Sequence, residues 1–208
     1  VRASITGHLV LSTLHTNNSL NTIERLADMD VERYLLGSSL EGIISQRLAR
    51  KLCTECMIKR ETTPYEKEVF KTVLGKEVNE MYVPNKEGCP KCSHGYKGRL
   101  AILEVLVLND KIKDAITNNL PKNELRELVY TGEVVTLLQD GLNKVVEGET
   151  SFEEILKIID LENDVTTYKD DNLMSNLQMA QKAHKESEVQ NNTVATPDSI
   201  SNFETLEF

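Results

Sequence analysis

Four cysteines stand as two C-x-x-C pairs, Cys53-Thr54-Glu55-Cys56 and Cys89-Pro90-Lys91-Cys92. Two such pairs can wrap a tetrahedral Zn²⁺ with four thiolates, because a gap of two residues lets both sulfurs of a pair face one ion. Gly88, Pro90 and Gly95 fit tight turns whose backbone N–H groups would donate to the thiolates. Four thiolates leave no open coordination position, and no carboxylate or His lies at ligand spacing, so the expected role is structural and not catalytic. His94, between Cys92 and Gly95, is either a knuckle residue or an alternative ligand. The competing readings are two disulfides, which need an oxidising compartment, or reduced core thiols, which would not favour paired spacing in turn-rich sequence.

The second group of chemically capable residues is His8 to Asn17, His-Leu-Val-Leu-Ser-Thr-Leu-His-Thr-Asn. Its apolar start between Gly7 and Asn17-Asn18 predicts a buried strand, of the kind found in parallel sheets, with His8 at one end and His15 at the other. Ligands in open α/β sheets bind at the carboxyl ends of strands, so a Ser-Thr-Leu-His-Thr-Asn exit fits a phosphate or nucleotide sensor. It fits equally a His satisfied by backbone and a Thr-Asn turn that caps the next helix. His184 takes no role.

Several elements must position these groups. Asn18 or Ser19 would cap a helix with Leu20, Ile23, Leu26 and Ala27 on one face. The spacing of Leu36, Leu40, Ile43, Ile44 and Leu48 predicts a second helix leading to Cys53. Between the cysteine pairs, Thr63-Pro64-Tyr65-Glu66 joins capping-box spacing to a Pro at the first helical position, and Gly75 ends that helix. Residues 96–108 read as extended, with a bend at Gly98. Four short helices are then expected, around Ile112, Leu125, Leu138 and the capping box Ser151-Phe152-Glu153-Glu154, packed as a small bundle. After Leu161 the periodicity fades, and disorder with one transient helix is expected.

Composition narrows the classes. The chain has 208 residues, 39% apolar and 27% charged, and no apolar run approaches the roughly 20 residues of a membrane-spanning helix. Four cysteines are too sparse for a disulfide scaffold. A net charge of −9 argues against a general nucleic-acid binder. Residues 162–208 hold nine acidic and three basic residues, so −6 of that charge sits in the tail and −3 in the rest. Basic residues do cluster beside the cysteines: Arg47, Arg50, Lys51, Lys59 and Arg60 near the first pair, Lys86, Lys91, Lys97 and Arg99 near the second. Such a ring fits an anionic partner, or a solvated face that offsets thiolate charge.

Taken in order, the residues resemble a known family. Ile5-Thr6-Gly7-His8 through Thr16-Asn17 is similar to the His box of the type II secretion and type IV pilus assembly ATPases, the GspE/PilB-type motors. The likeness continues through Arg25-Leu26-Ala27-Asp28-Met29 and Gln46 to Cys53, then Gly88-Cys89-Pro90-Lys91-Cys92, Gly95-Tyr96-Lys97-Gly98-Arg99, Asp140-Gly141-Leu142 and Gly148-Glu149-Thr150-Ser151. Between Cys92 and Gly95 this chain has one residue fewer than the usual pattern.

The resemblance covers about residues 1–160 and implies an α/β fold: the C-terminal part of a RecA-like P-loop ATPase domain (1–52), a tetracysteine zinc subdomain with an inserted helix (53–99) and a strand with a helical bundle (100–161); the acidic tail (162–208) has no counterpart in the family. It implies a cytoplasmic homo-hexamer, peripheral at the inner face of the membrane on a platform protein, and no specific nucleic acid. Zn²⁺ would be held by Cys53, Cys56, Cys89 and Cys92, with ATP and Mg²⁺ as cofactors of the full-length family. His15 and His8 match the family's His box, His15 by the nucleotide, with Thr13 and Thr16 as nucleotide contacts. No G-x-x-x-x-G-K-[ST] occurs in these 208 residues. The expectation is therefore a fragment inactive by itself, since phosphoryl transfer depends on that phosphate cradle. The other reading is a standalone zinc-and-helix module for an acidic or nucleic-acid partner.

Overall fold

A computed structural model describes residues 1–130, 134–159, 175, 177 and 178. Its axis is an antiparallel ribbon of two long strands, β1 (Gly42–Leu52) and β4 (Tyr96–Val107). They pair from Gly42↔Val107 to Arg50↔Arg99, and the register shifts before Leu52↔Tyr96. At about 3.3 Å per residue, β1 spans roughly 35 Å.

Because side chains alternate across a strand, one face of the ribbon holds Ile43, Ser45 and Ala49 with Leu106, Glu104 and Ile102, all buried. Two separate apolar cores sit on that face. One gathers Ile43 and Leu106 with α2 (Ser19–Asp28), α3 (Arg33–Ser39), α5 (Asp110–Thr117) and α6 (Lys122–Val129). Gly37 is where α3 crosses α5: a Cβ there would lie 2.7 Å from the Lys113 carbonyl oxygen, too close for any side chain. The other gathers Ala49 and Ile102 with α4 (Pro64–Leu74), α7 (Leu137–Val146) and α8 (Phe152–Ile158). A short hairpin of β2 (Ile58–Glu61) and β3 (Glu80–Val83) brackets α4. Between the two cores lies the register pair Ser45↔Glu104, both buried and polar.

Several expectations hold. Asn18 caps α2 by accepting from the Asn21 N–H at 2.9 Å. The Thr63–Glu66 capping box opens α4, and Gly75 closes it in the left-handed conformation. Residues 96–107 are a strand.

Others are corrected. His8 to Thr16 form no strand, and Leu9 and Leu11 stand 90% and 88% exposed. A buried strand needs neighbours to take its N–H and C=O groups, and among the described residues no parallel strand lies beside it. The segment follows a one-turn helix, α1 (Arg2–Ile5). The helix expected through Leu48 stops at Ser39, and Gly42 onward is β1. Both faces of this strand carry apolar residues, since Ile44 and Leu48 are exposed opposite buried Ile43 and Ala49, and that pattern imitates a helical stripe. The four C-terminal helices do not form one bundle: α5 and α6 enter one core, α7 and α8 the other. Gly132, where the sequence pattern would stop the helix around Leu125, and the tail beyond 161 apart from residues 175, 177 and 178 lie outside the described residues.

Candidate metal centre

The four cysteines come together at one end of the ribbon. Cys53 directly follows β1, and Cys89 and Cys92 lie in the turn that leads into β4 at Tyr96. The Cys53 N–H donates to the Gly95 carbonyl at 2.9 Å, and Ser93 and Tyr96 exchange a pair of backbone hydrogen bonds at 3.0 Å each. Two turns are thus fixed face to face. Gly95 is required there: its φ is +80°, and a Cβ would meet the backbone N and O of Asn85, each at 2.7 Å.

All four Sγ atoms lie within 4.8 Å of one another. Cys53 to Cys89 is 3.8 Å, Cys56 to Cys92 3.6 Å and Cys89 to Cys92 3.5 Å. Four sulfurs about 2.3 Å from a common tetrahedral centre would be separated by roughly 3.8 Å. A disulfide would need about 2.05 Å, and all four cysteines are free. The donor set and its spacing fit a tetrathiolate-bound metal ion, and the sulfurs stand farther apart than a disulfide bond. His94 does not belong to the set. It is exposed, in the left-handed region at φ +49°, with Nδ1 3.2 Å from the Ser93 hydroxyl.

Crowding sets the protonation of the thiols. Desolvation, then the neighbouring thiols of Cys92, Cys89 and Cys53, push Cys56 up to about 12. Desolvation also acts to raise Cys92, but the Cys89 N–H, donating to its sulfur at 3.3 Å, and the nearby thiols hold it down to about 7. The Lys91 N–H lowers Cys89, yet desolvation and the Cys92 and Cys53 thiols leave it raised. Four adjacent thiolates repel one another, and a divalent cation is what allows them to be charged together.

Below the cysteines, a network locks them to α8. The Glu154 carboxylate, 7% exposed, accepts from the Arg50 guanidinium at 2.6 and 2.9 Å and from the Arg50 backbone N–H at 3.0 Å. The guanidinium lies 4.1 Å over the Tyr96 ring, whose hydroxyl is 2.7 Å from the Ser151 hydroxyl. The Thr150 hydroxyl donates to the Arg50 carbonyl at 2.9 Å. Ser151 caps α8 as expected, but the capping box stays one-sided because the Glu154 carboxylate turns to Arg50. Sequence reading missed this network. Its contacts span 55 to 104 residues of sequence, and no local pattern joins them.

Most of the basic ring is already partnered. Arg50 pairs with Glu154, Lys51 with Glu149, Lys59 with Glu80, Arg60 with Glu66 and Lys91 with Glu55. Arg47 donates to the Asn17 carbonyl at 3.2 Å. This favours a charge-balanced face over an anion-binding one.

The histidine segment is elsewhere. His8 is exposed, with Nδ1 3.0 Å from the Thr6 hydroxyl and 3.2 Å from the Ala3 carbonyl. His15 and Thr13 are exposed, and the half-buried Thr16 hydroxyl is 2.7 Å from that of Thr22 on α2.

A cluster of four cysteines that could hold a metal ion closes a long ribbon with helices on one face, and the whole is a mixed helix-and-strand domain. The Type II/IV secretion system protein family model matches residues 1–157, and the chain belongs to that family. It is similar to the type II secretion system protein E of Pectobacterium carotovorum, 42% identical over 159 residues, and to the type II secretion system ATPase E of Vibrio cholerae serotype O1, 38% identical over 159 residues. A type II secretion system protein E of Pseudomonas aeruginosa is 40% identical over 162 residues. Each alignment covers 76% of this chain and 31% of the relative. The chain spans about a third of the length of the curated relatives it matches.

Proposed function

We propose that this chain serves as the C-terminal part of a hexameric ATPase that powers type II secretion or type IV pilus assembly. The observation that carries the reading is the ordered run from the His8–Asn17 segment to the tetrathiolate cluster, in a chain 38% identical to a relative named as a secretion ATPase. The motor would work at the inner face of the cell membrane on a platform protein. No helix among the described residues is long and apolar enough to cross a membrane itself. The RecA-like core would end within residues 1–52, with 53–99 as the zinc unit.

Zn²⁺ is the ion proposed for Cys53, Cys56, Cys89 and Cys92, since four thiolates in a tetrahedron suit it best and leave it no reactive position. Its contribution is to fold the two turns together. His15 would face the nucleotide phosphates, with His8, Thr13 and Thr16 in the same segment. The exposure of His15 is compatible with reaching a ligand bound by residues outside this chain.

The decisive experiment replaces the aligned segment of the Vibrio cholerae ATPase E with residues 1–157. The hybrid should hydrolyse ATP, and His15→Ala should lower its turnover about a hundredfold, the scale of a lost acid–base or electrostatic contact. Unchanged turnover in His15→Ala would overturn the role of His15. The 208-residue chain alone should hydrolyse none, having no phosphate-binding Gly-Lys loop in its sequence.

A further inference from the structure

Glu104 is the one carboxylate inside the apolar run Leu100–Leu108, and it is 2% exposed. A charge in that position is costly unless it is fully hydrogen-bonded. Its Oε1 accepts from the Ser19 N–H at 3.0 Å and from the Tyr130 hydroxyl at 3.4 Å. Ser19 is the first residue of α2, so the carboxylate takes one of the N–H groups that a helix start leaves without an intrahelical partner. The same serine reaches β1, its hydroxyl 3.2 Å from that of Ser45, the register partner of Glu104.

These contacts end a chain of anchors that begins one residue after His15. Thr16 is held by Thr22, the Asn17 carbonyl by Arg47, Asn18 by the α2 cap and Ser19 by Glu104 and Ser45. Among the described residues, Leu9 to His15 make no hydrogen bond. The direction in which His15 leaves the protein is therefore set by the four residues behind it. The deepest of their attachments is the buried carboxylate.

We infer that Glu104 is a positioning residue for His15, acting through the Ser19 N–H and the start of α2. The inference rests on the proposed role of His15 for its functional meaning, but its geometry is tested without any nucleotide.

The test uses the zinc-loaded 208-residue chain, NMR of its histidine imidazoles and amide hydrogen exchange. His15→Gln assigns the His15 ring signal among the four histidines. In Glu104→Leu the Ser19 amide should exchange about tenfold faster or more, the scale of one lost buried hydrogen bond. The His15 ring signal should move, while His8, held by Thr6 and Ala3, and the bound zinc should stay as in the parent. Glu104→Asp, which withdraws the acceptor by one methylene but keeps the charge, should move the His15 signal in the same direction by less. Glu104→Gln, which keeps an acceptor at the same reach, should restore it. If Glu104→Leu also displaces His8 or loses zinc, the fold itself has been damaged and the Asp variant decides. A faster Ser19 exchange with an unmoved His15 signal, in Leu or in Asp, overturns the inference and leaves Glu104 as a helix anchor only. Failure of the role of His15 would appear separately, as unchanged ATP turnover in the hybrid His15→Ala enzyme.

Discussion

Replacing Glu154 with alanine removes three hydrogen bonds at once, two from the Arg50 guanidinium and one from the Arg50 backbone N–H. Breaking a fully buried ion pair costs about 3–5 kcal/mol. Here the carboxylate side chain is 7% exposed but the arginine side chain is 43% exposed, so water can take over part of the guanidinium's hydrogen bonding. The expected loss is therefore about 2–3 kcal/mol, or roughly 4–12 °C in the melting temperature of a chain this size. The pH dependence follows from the arginine. Burial tends to raise the Glu154 carboxyl, but Arg50 outweighs it and holds the group below the usual carboxylate range. A depressed carboxyl contributes stability that is present above its unfolded pKa, about 4.3, and is lost as pH falls through the lower folded value. Parent and variant should thus differ most at pH 7, and the gap should shrink progressively as pH falls below the unfolded value of about 4.3. The assay is thermal unfolding by circular dichroism across that range. A gap at pH 7 under about 0.5 kcal/mol, or one that persists undiminished in acid, would refute the assignment of this stability to the ion pair.

Other perturbations separate local causes. Cys89→Ser should bring bound zinc from one ion per chain to a small fraction, measured by metal analysis after dialysis, and full retention would contradict a four-sulfur site. Gly95→Ala should collapse the turn and release zinc, because its φ is +80° and its Cβ would strike the Asn85 backbone. Gly75→Ala, at φ +65° with open space around it, should cost only about 1 kcal/mol in a urea titration. Thr63→Ala should cost about 1 kcal/mol by losing the α4 cap, with zinc content unchanged.

What could be read from sequence was what short range determines. The C-x-x-C spacing brings two sulfurs to one point whatever surrounds them, and the caps at Asn18 and Thr63 lie three residues from the N–H groups they serve. The failures share a cause as well. Leu9-Val10-Leu11 is strand-like, but a strand exists only with a neighbour, and none is in reach among the described residues. Residues 40–48 have apolar side chains on both faces of a ribbon, so their spacing could not separate a period of 2 from one of 3.6. Arg50 and Glu154 meet only because α8 packs on β1. Glu104, a single acid amid Leu100–Leu108, was given no role by the sequence, because its partner Ser19 lies 85 residues away.

The β1–β4 ribbon has a mechanical consequence. Both strands run from one core to the other, Ile43 and Leu106 at one end, Ala49 and Ile102 at the opposite end. A force that pulls the cores apart along this axis is carried by two covalent backbones in tandem, and the hydrogen bonds between them, perpendicular to the load, are not the element that stretches. Lengthwise, the pair of strands is a stiff tie rod. Torsion and bending are its soft modes, since two-stranded ribbons twist more freely than wide sheets. Any displacement passed between the helices around α2 and the cysteine end would therefore travel as rotation about the ribbon and hardly at all as extension.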